Sequence, residues 1–195
     1  MKAEATLIDR LRNGDRFAFR EFMDGYQKQV YFMALDLTGN HQDAEDLTQD
    51  VFIKAYRSMY KFRGDSKLST WLYRITVNGY LDIYRKKSFK IFNLFERTPD
   101  NQRIVDESIM QNFNVDPERK TEAALMQQHI AYALKKLSGR EKSVFVMRHY
   151  QDLKLKEISG ILKIAEGSVK SLLFRAIKKL QKELAFYRKE FGLED

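Results

Sequence analysis

Both prolines of this chain, Pro99 and Pro117, lie in or beside one stretch, 88–116, and long runs on either side lack the residue that most disrupts a helix. Glycine is sparse too, with nine among 195 residues. In the proline-free runs apolar side chains recur at three- and four-residue spacing, and no useful length of strand alternation occurs. The pattern predicts an all-α protein of two small helical domains joined by a flexible linker. The stretch SFKIFNLFERTPDNQRIVDESIMQNFNVD is rich in Asn, Asp and Gln and holds no helical period for long, apart from a short helix expected around 104–110. The domains are placed at 1–90 and 116–195, with the linker at 91–115.

Local signals set the helices. The first spans about 15–37 and ends at Gly39 and Asn40. Asn40 suits the N-cap of a second helix that carries Ala44, Leu47, Val51, Phe52, Ala55 and Met59 on one face. After a polar loop at 61–67 (KFRGDSK) a third helix begins near Ser69. Beyond the linker, Asp116-Pro117-Glu118 has the cap, first-turn proline and acidic charge of a helix start, and that helix runs to about Leu137. Ser138-Gly139-Arg140-Glu141 reads as a capping box opening the next helix. Two more follow, over about 155–162 and 167–187.

Composition narrows the chemistry. The formal charge of +8 and pI near 9.5 favour an anionic partner, either nucleic acid or a membrane surface. Absence of cysteine excludes disulfides, thiolate nucleophiles and Cys-type zinc sites, and His41, His129 and His149 are too isolated to form a ligand set. With no convergent acid, nucleophile or metal constellation, the expectation is a non-enzyme without metal or cofactor. The N-terminal run MKAEATLIDRLRNGDR lacks a signal peptide's apolar core, and no run approaches the ~20 apolar residues of a membrane span. A cytoplasmic protein that does not insert into membranes is expected.

The segment LKEISGILKIAEGSVKSLLFRAIKKL has the layout of a helix-turn-helix in the second domain. At about 100° per residue, Val169, Leu172, Leu173, Ala176, Ile177 and Leu180 gather on one side of its second helix. The opposite arc presents Ser171, Arg175 and Lys178, bordered by Lys170 and Phe174. Arg and Lys can bond guanine edges, Ser can meet a base or phosphate, and an aromatic edge can contact a thymine methyl.

The third helix offers a different surface. Trp71, Arg74, Asn78, Asp82 and Arg85 share one stripe in a basic region that also holds Lys61, Arg63, Lys67, Lys86 and Lys87. Aromatics interleaved with positive charge suit unstacked bases above a phosphate track. The second helix starts acidic, with Asp43, Glu45, Asp46 and Asp50, a face that should avoid DNA and could meet a protein.

These residues carry a family resemblance. DAEDLTQDVFIKAYRSMYKFRGDSKLSTWLYRITVNGYLDIYRKK, at 43–87, closely resembles region two of the extracytoplasmic-function sigma factors of the bacterial sigma-70 family. LSGREKSVFVMRHYQDLKLKEISGILKIAEGSVKSLLFRAIKKLQKEL, at 137–184, resembles their region four. The resemblance implies an initiation factor that directs core RNA polymerase to promoter DNA, with a probable anti-sigma factor as a further partner. It implies that Asp46, Gln49 and Phe52 grip the polymerase. The loop Phe62, Arg63, Gly64, Asp65 and Ser66 would receive a base flipped from the minus-ten element, and Trp71, Arg74, Asn78 and Arg85 would hold the opened strand. Lys170, Ser171, Phe174, Arg175 and Lys178 would read the minus-thirty-five element. Leu172 departs from the Arg that many members carry there. The other reading from the residues is a stand-alone helix-turn-helix regulator, which would need a receiver or ligand pocket that the first half does not show.

Overall fold

The computed structural model describes residues 2–97 and 122–190, and side chains over 6–89 and 125–187. Nine α-helices and no strand occur among the described residues. In the first half, α1 (Lys2–Arg12) leads into α2 (Arg16–Thr38) and α3 (His41–Ser58). A 3-10 turn at Met59–Lys61 and a loop then precede α4 (Leu68–Arg97). The second half comprises α5 (Glu122–Lys135), α6 (Gly139–His149), α7 (Leu155–Leu162), α8 (Glu166–Glu183) and α9 (Ala185–Glu190).

The caps lie where the chemistry of the termini puts them. Asp15 accepts from the backbone N–H of Phe17 and Ala18, and Gly39 closes α2 in the left-handed region at φ 69°, where a side chain would be strained. Asn40 then accepts from Asp43 N–H at 2.9 Å. Both arms of the Ser138 capping box are present, with Glu141 Oε2 accepting from Ser138 N–H at 2.9 Å. Three features differ from the sequence reading. Residues 2–12 form α1, which no helix was assigned to. Helix α4 continues to Arg97, through residues assigned to the linker. The last long helix breaks at Leu184 into α8 and α9. The short helix expected at 104–110 and the Asp116-Pro117-Glu118 start lie outside the described residues.

Phe22, Met33, Leu37, Leu47 and Leu72 fill the core of the first half. That core is continuous with Val144, Met147, Ile158, Ile161 and Val169 of the second half. A smaller cluster of Leu134, Leu137 and Ala176 seats α5 beneath α6 and α8. The two halves therefore pack against each other, with α6 on α2 and both α6 and α7 on α4. Tyr73 donates across this seam to Gln151 at 3.0 Å. Gly139 is buried there, and a methyl group at its α-carbon would come within 2.9 Å of the Tyr84 ring.

Candidate nucleic-acid interface

Helix α8 is aimed by a turn that side chains lock. Lys163 takes the left-handed conformation at φ 54°, unusual for a residue with a Cβ. Ser159 offsets that strain: its carbonyl accepts from Ile164 N–H at 3.2 Å while its hydroxyl donates to Ile164 carbonyl at 2.6 Å. With Val169, Leu172 and Ala176 buried beneath it, α8 leaves Lys170, Ser171, Phe174, Arg175 and Lys178 exposed on one arc. Lys170, Ser171, Phe174 and Arg175 border a shallow concavity of about 400 Å³. Lys178 Nζ stands 5.2 Å over the Phe174 ring, so the aromatic is held beside a cation. Arg175 Nε lies 3.6 Å from a carboxylate oxygen of Glu141.

The α4 stripe is less open than its spacing suggests. Asn78 and Arg85 are exposed, with Arg85 paired to Asp82. Trp71 is half-buried and packs on Phe62, ring centres 5.1 Å apart. Arg74 is half-buried, and its Nε is enclosed without a hydrogen-bond partner, an expensive position for a guanidinium donor. Asn78, Asp82 and Arg85 line one wall of a cleft of about 680 Å³ whose other wall includes Leu172 and Arg175. The later part of the α4 stripe and Arg175 of α8 thus share one cleft between the halves.

In the loop, Arg63, Gly64 and Asp65 are exposed and Ser66 is half-buried. Gly64 turns the chain at φ 83°, a conformation glycine adopts without strain. Phe62 differs from the expectation of a base-receiving residue. It is 6% exposed, and its carbonyl accepts from Arg12 Nε at 2.8 Å, so it anchors the loop from below.

On α3, Asp46 and Gln49 are exposed, as a partner-facing role requires, but Phe52 is buried against Phe22. Phe52 forms the floor of a groove of about 720 Å³ between α2 and α3, with Phe19, Met23, Gln49, Ile53 and Tyr56 around it. Sequence reasoning missed most of this groove. The available signal was an excess of large apolar residues on α2, more than one buried face accommodates. Among the described residues no cluster of His, Asp and Glu could hold a metal ion, and no helix is long and apolar enough to cross a membrane.

Comparison with known proteins places these surfaces in a family. Residues 22–90 match sigma-70 region 2, and residues 127–180 match sigma-70 region 4. The chain is 32% identical over 177 residues to the ECF RNA polymerase sigma factor SigW of Bacillus subtilis, covering 91% of this chain and 94% of that protein. It is 29% identical over 181 residues to the ECF RNA polymerase sigma-E factor of Escherichia coli K12, covering 89% and 90%. Two solved structures share the fold. The sigma factor RpoE, in complex with the anti-sigma factor NepR from Bartonella quintana, gives a TM-score of 0.63 at 23% identity over 86% of this chain and 96% of that one. CnrH, in complex with the cytosolic domain of CnrY, gives 0.65 at 21% identity over 94% and 97%. The two regions in this order and relatives aligned along nearly their whole length lead to one conclusion: the chain belongs to the extracytoplasmic-function group of the sigma-70 family and is an RNA polymerase sigma factor.

Proposed function

We propose that this sigma factor divides its work among three surfaces. The α2–α3 groove, with Gln49 on its rim and Phe52 as its floor, receives core RNA polymerase together with the exposed Asp46 of α3. The loop Arg63 to Ser66 and the stripe Trp71, Arg74, Asn78 and Arg85 hold the opened minus-ten strand. The α8 arc of Lys170, Ser171, Phe174, Arg175 and Lys178 reads the minus-thirty-five duplex. The observation that carries the reading is the orientation of α8, which turns Leu172 inward and leaves that cationic and aromatic arc exposed. Residues 1–90 and 116–195 form the working domains, and the linker between them, read at 91–115, begins within the last turns of α4. The factor acts in the cytoplasm and by binding alone, without catalysing a covalent step. An anti-sigma protein completes the partner set. One neighbour of the same fold, RpoE, is bound to the anti-sigma factor NepR, and the exposed apolar groove offers a surface for such a partner.

A cleft of about 680 Å³ suits a drug-sized molecule and not a duplex. Asn78, Arg85 and Arg175 line that cleft, so the packed arrangement has to open before these three can meet promoter DNA together. Arg74 Nε is buried without a hydrogen-bond partner, so a phosphate reaching it would satisfy an enclosed donor. Strand capture offsets an unstacking cost of a few kcal/mol per flipped base. The test is Arg74→Ala with Asn78→Ala in reconstituted polymerase, followed by permanganate footprinting of open complexes. Strand opening is expected to fall at least tenfold with polymerase binding retained. Undiminished opening would remove the stripe from the mechanism.

A further inference from the structure

Glu141 is the only buried carboxylate among the described residues, with its side chain 5% exposed. The capping box accounts for one of its contacts, the acceptance from Ser138 N–H at 2.9 Å. A neutral glutamine serves that role equally well, so the cap does not explain why a charge is buried here. The explanation lies on α8. Lys179 Nζ donates to Glu141 Oε2 at 2.7 Å, and Arg175 Nε stands 3.6 Å from Oε1. These cations are one helical turn apart and meet a single carboxylate on α6. Burial pushes the Glu141 carboxyl upward, but the Lys179 and Ser138 contacts outweigh it and hold the group below its ordinary value, so it stays charged.

The way Arg175 faces Glu141 has a chemical consequence. At 3.6 Å the contact is an ion pair with no hydrogen bond, and because Nε is the guanidinium nitrogen nearest the carboxylate, the planar fork is biased to turn its terminal nitrogens away from Glu141. Arg175 is otherwise exposed, with a side-chain exposure of 59%, and it borders the concavity of the α8 arc. Two terminal donors held in a fixed direction are what bidentate recognition of a guanine edge requires. Lys179 lies outside that arc and is drawn back toward α6, away from the phosphates it could otherwise reach.

We infer that Glu141 is a positioning residue for promoter reading: it sets which edge of Arg175 meets the bases and withholds Lys179 from non-specific phosphate contact. The inference rests on the assignment of α8 as the duplex reader, and the test separates the two. Glu141→Gln keeps the capping acceptor and removes the charge. Holoenzyme reconstituted with this variant, with Arg175→Ala and with both is presented with a library randomised over the minus-thirty-five element. Arg175→Ala should erase preference at one base pair. Glu141→Gln should weaken preference at that same pair by about tenfold and leave other positions within about twofold. The double variant should be no worse than Arg175→Ala, because the two residues act through one contact. Binding to random duplex should become more salt-dependent, by up to ~0.9 in logarithmic slope for each cation released to a phosphate. Glu141→Asp, which keeps the charge one methylene further back, should fold normally and lose part of the same preference, covering the case in which the glutamine variant is unstable. A purely structural role predicts a lower melting temperature and equal losses on every sequence, and that outcome overturns the inference. So does full preference in Glu141→Gln at the pair that Arg175→Ala erases. If Arg175→Ala erases no preference, the reading of α8 through Arg175 fails, and the role of Glu141 falls with it.

Discussion

Replacing Lys142 by methionine removes a cation from the seam between the halves while nearly preserving its volume. Lys142 is 4% exposed, and burial lowers its ammonium from the ordinary 10.5 to about 8; Lys135 of α5 lowers it further and Asp36 of α2 partly opposes the fall. The same cavity is bordered by Tyr80 and Tyr84 of α4 and by the Lys87–Asp43 pair at 2.7 Å, and Tyr150 at the end of α6 feels the charge of Asp36. At pH 7 lysine is charged in folded and unfolded chains alike. The gap between 10.5 and about 8 then corresponds to about 3 kcal/mol of folding free energy withheld by burial of the charge. Because the folded value is the lower one, this stability is fully present above 10.5 and is lost as pH falls through about 8. Raising the pH from 7 to 9.5 returns about 2 kcal/mol, or about 4–8 °C in melting temperature for a chain of this size. Asp36 acts in the opposite sense. Burial pushes it up to about 6, so its contribution is present below 3.8 and lost as pH rises through about 6, with solvent screening reducing its size. The seam is therefore weakest between about pH 6 and 8. Lys142→Met should raise stability at pH 7 by about 1–2 kcal/mol. The gain is smaller than the full penalty because Asp36 and the carbonyl end of α2 lose a nearby cation. Thermal melts of both proteins across pH 7 to 9.5 check this, since the difference between them cancels other titrations. Parallel profiles, or a methionine variant less stable at pH 7, would refute the reasoning.

The other two predictions concern how the seam and the groove are used. Gly139→Ala places a methyl 2.9 Å from the Tyr84 ring and should weaken the seam by about 1–3 kcal/mol, leaving the helices of each half intact. Small-angle scattering should show a larger radius with unchanged helical circular dichroism, and removing the clash with Tyr84→Ala should restore the compact form; an unchanged radius in the single variant would count against the packing. Ile53→Asp introduces a charge into the α2–α3 groove, where the isoleucine is 49% exposed, and should reduce affinity for core polymerase about tenfold or more. Equal affinity by biolayer interferometry would remove the groove from that interface.

What the sequence made legible was whatever is encoded within a few residues. The Asn40 and Ser138 caps, the α7–α8 turn and the inward face of Leu172 follow from side-chain chemistry and a 3.6-residue period, and each is found in the structure. The extension of α4 to Arg97 was not legible, because the weak periodicity of SFKIFNLFER reads as linker. The seam was not legible, because it depends on partners distant in the chain. Lys142 looks like any charged residue of an amphipathic helix, Gly139 like an ordinary first turn, and Glu141 like a cap alone. Only tertiary packing shows that these three neighbours touch α2, α4 and α8 respectively. For the same reason Phe62 and Phe52 were placed among the functional residues. Their rings are buried, Phe62 beneath the loop and Phe52 as the floor of the α2–α3 groove.

Leu172 connects this packing to the order of events at a promoter. It is 8% exposed beside the cleft that Arg175 also lines, so it packs in the core beneath α8 instead of reaching DNA. Full burial of a leucine stabilises by about 1.5–3 kcal/mol, and the seam adds the Tyr73–Gln151 hydrogen bond and the close Gly139–Tyr84 contact. If these hold the closed form at 99:1, reversing the ratio takes a ligand that binds the open form about 10⁴-fold better, roughly 5.5 kcal/mol. Promoter DNA is poorly placed to engage both proposed surfaces at once, since Asn78 and Arg85 of the stripe stand opposite Arg175 of α8 across the closed cleft. Core polymerase is better placed, because the α2–α3 groove is open in the closed arrangement and offers an initial foothold. Contacts that polymerase then makes with the separated halves can supply the difference. Polymerase binding would thus precede promoter reading, and the seam would keep α4 and α8 from engaging DNA on their own.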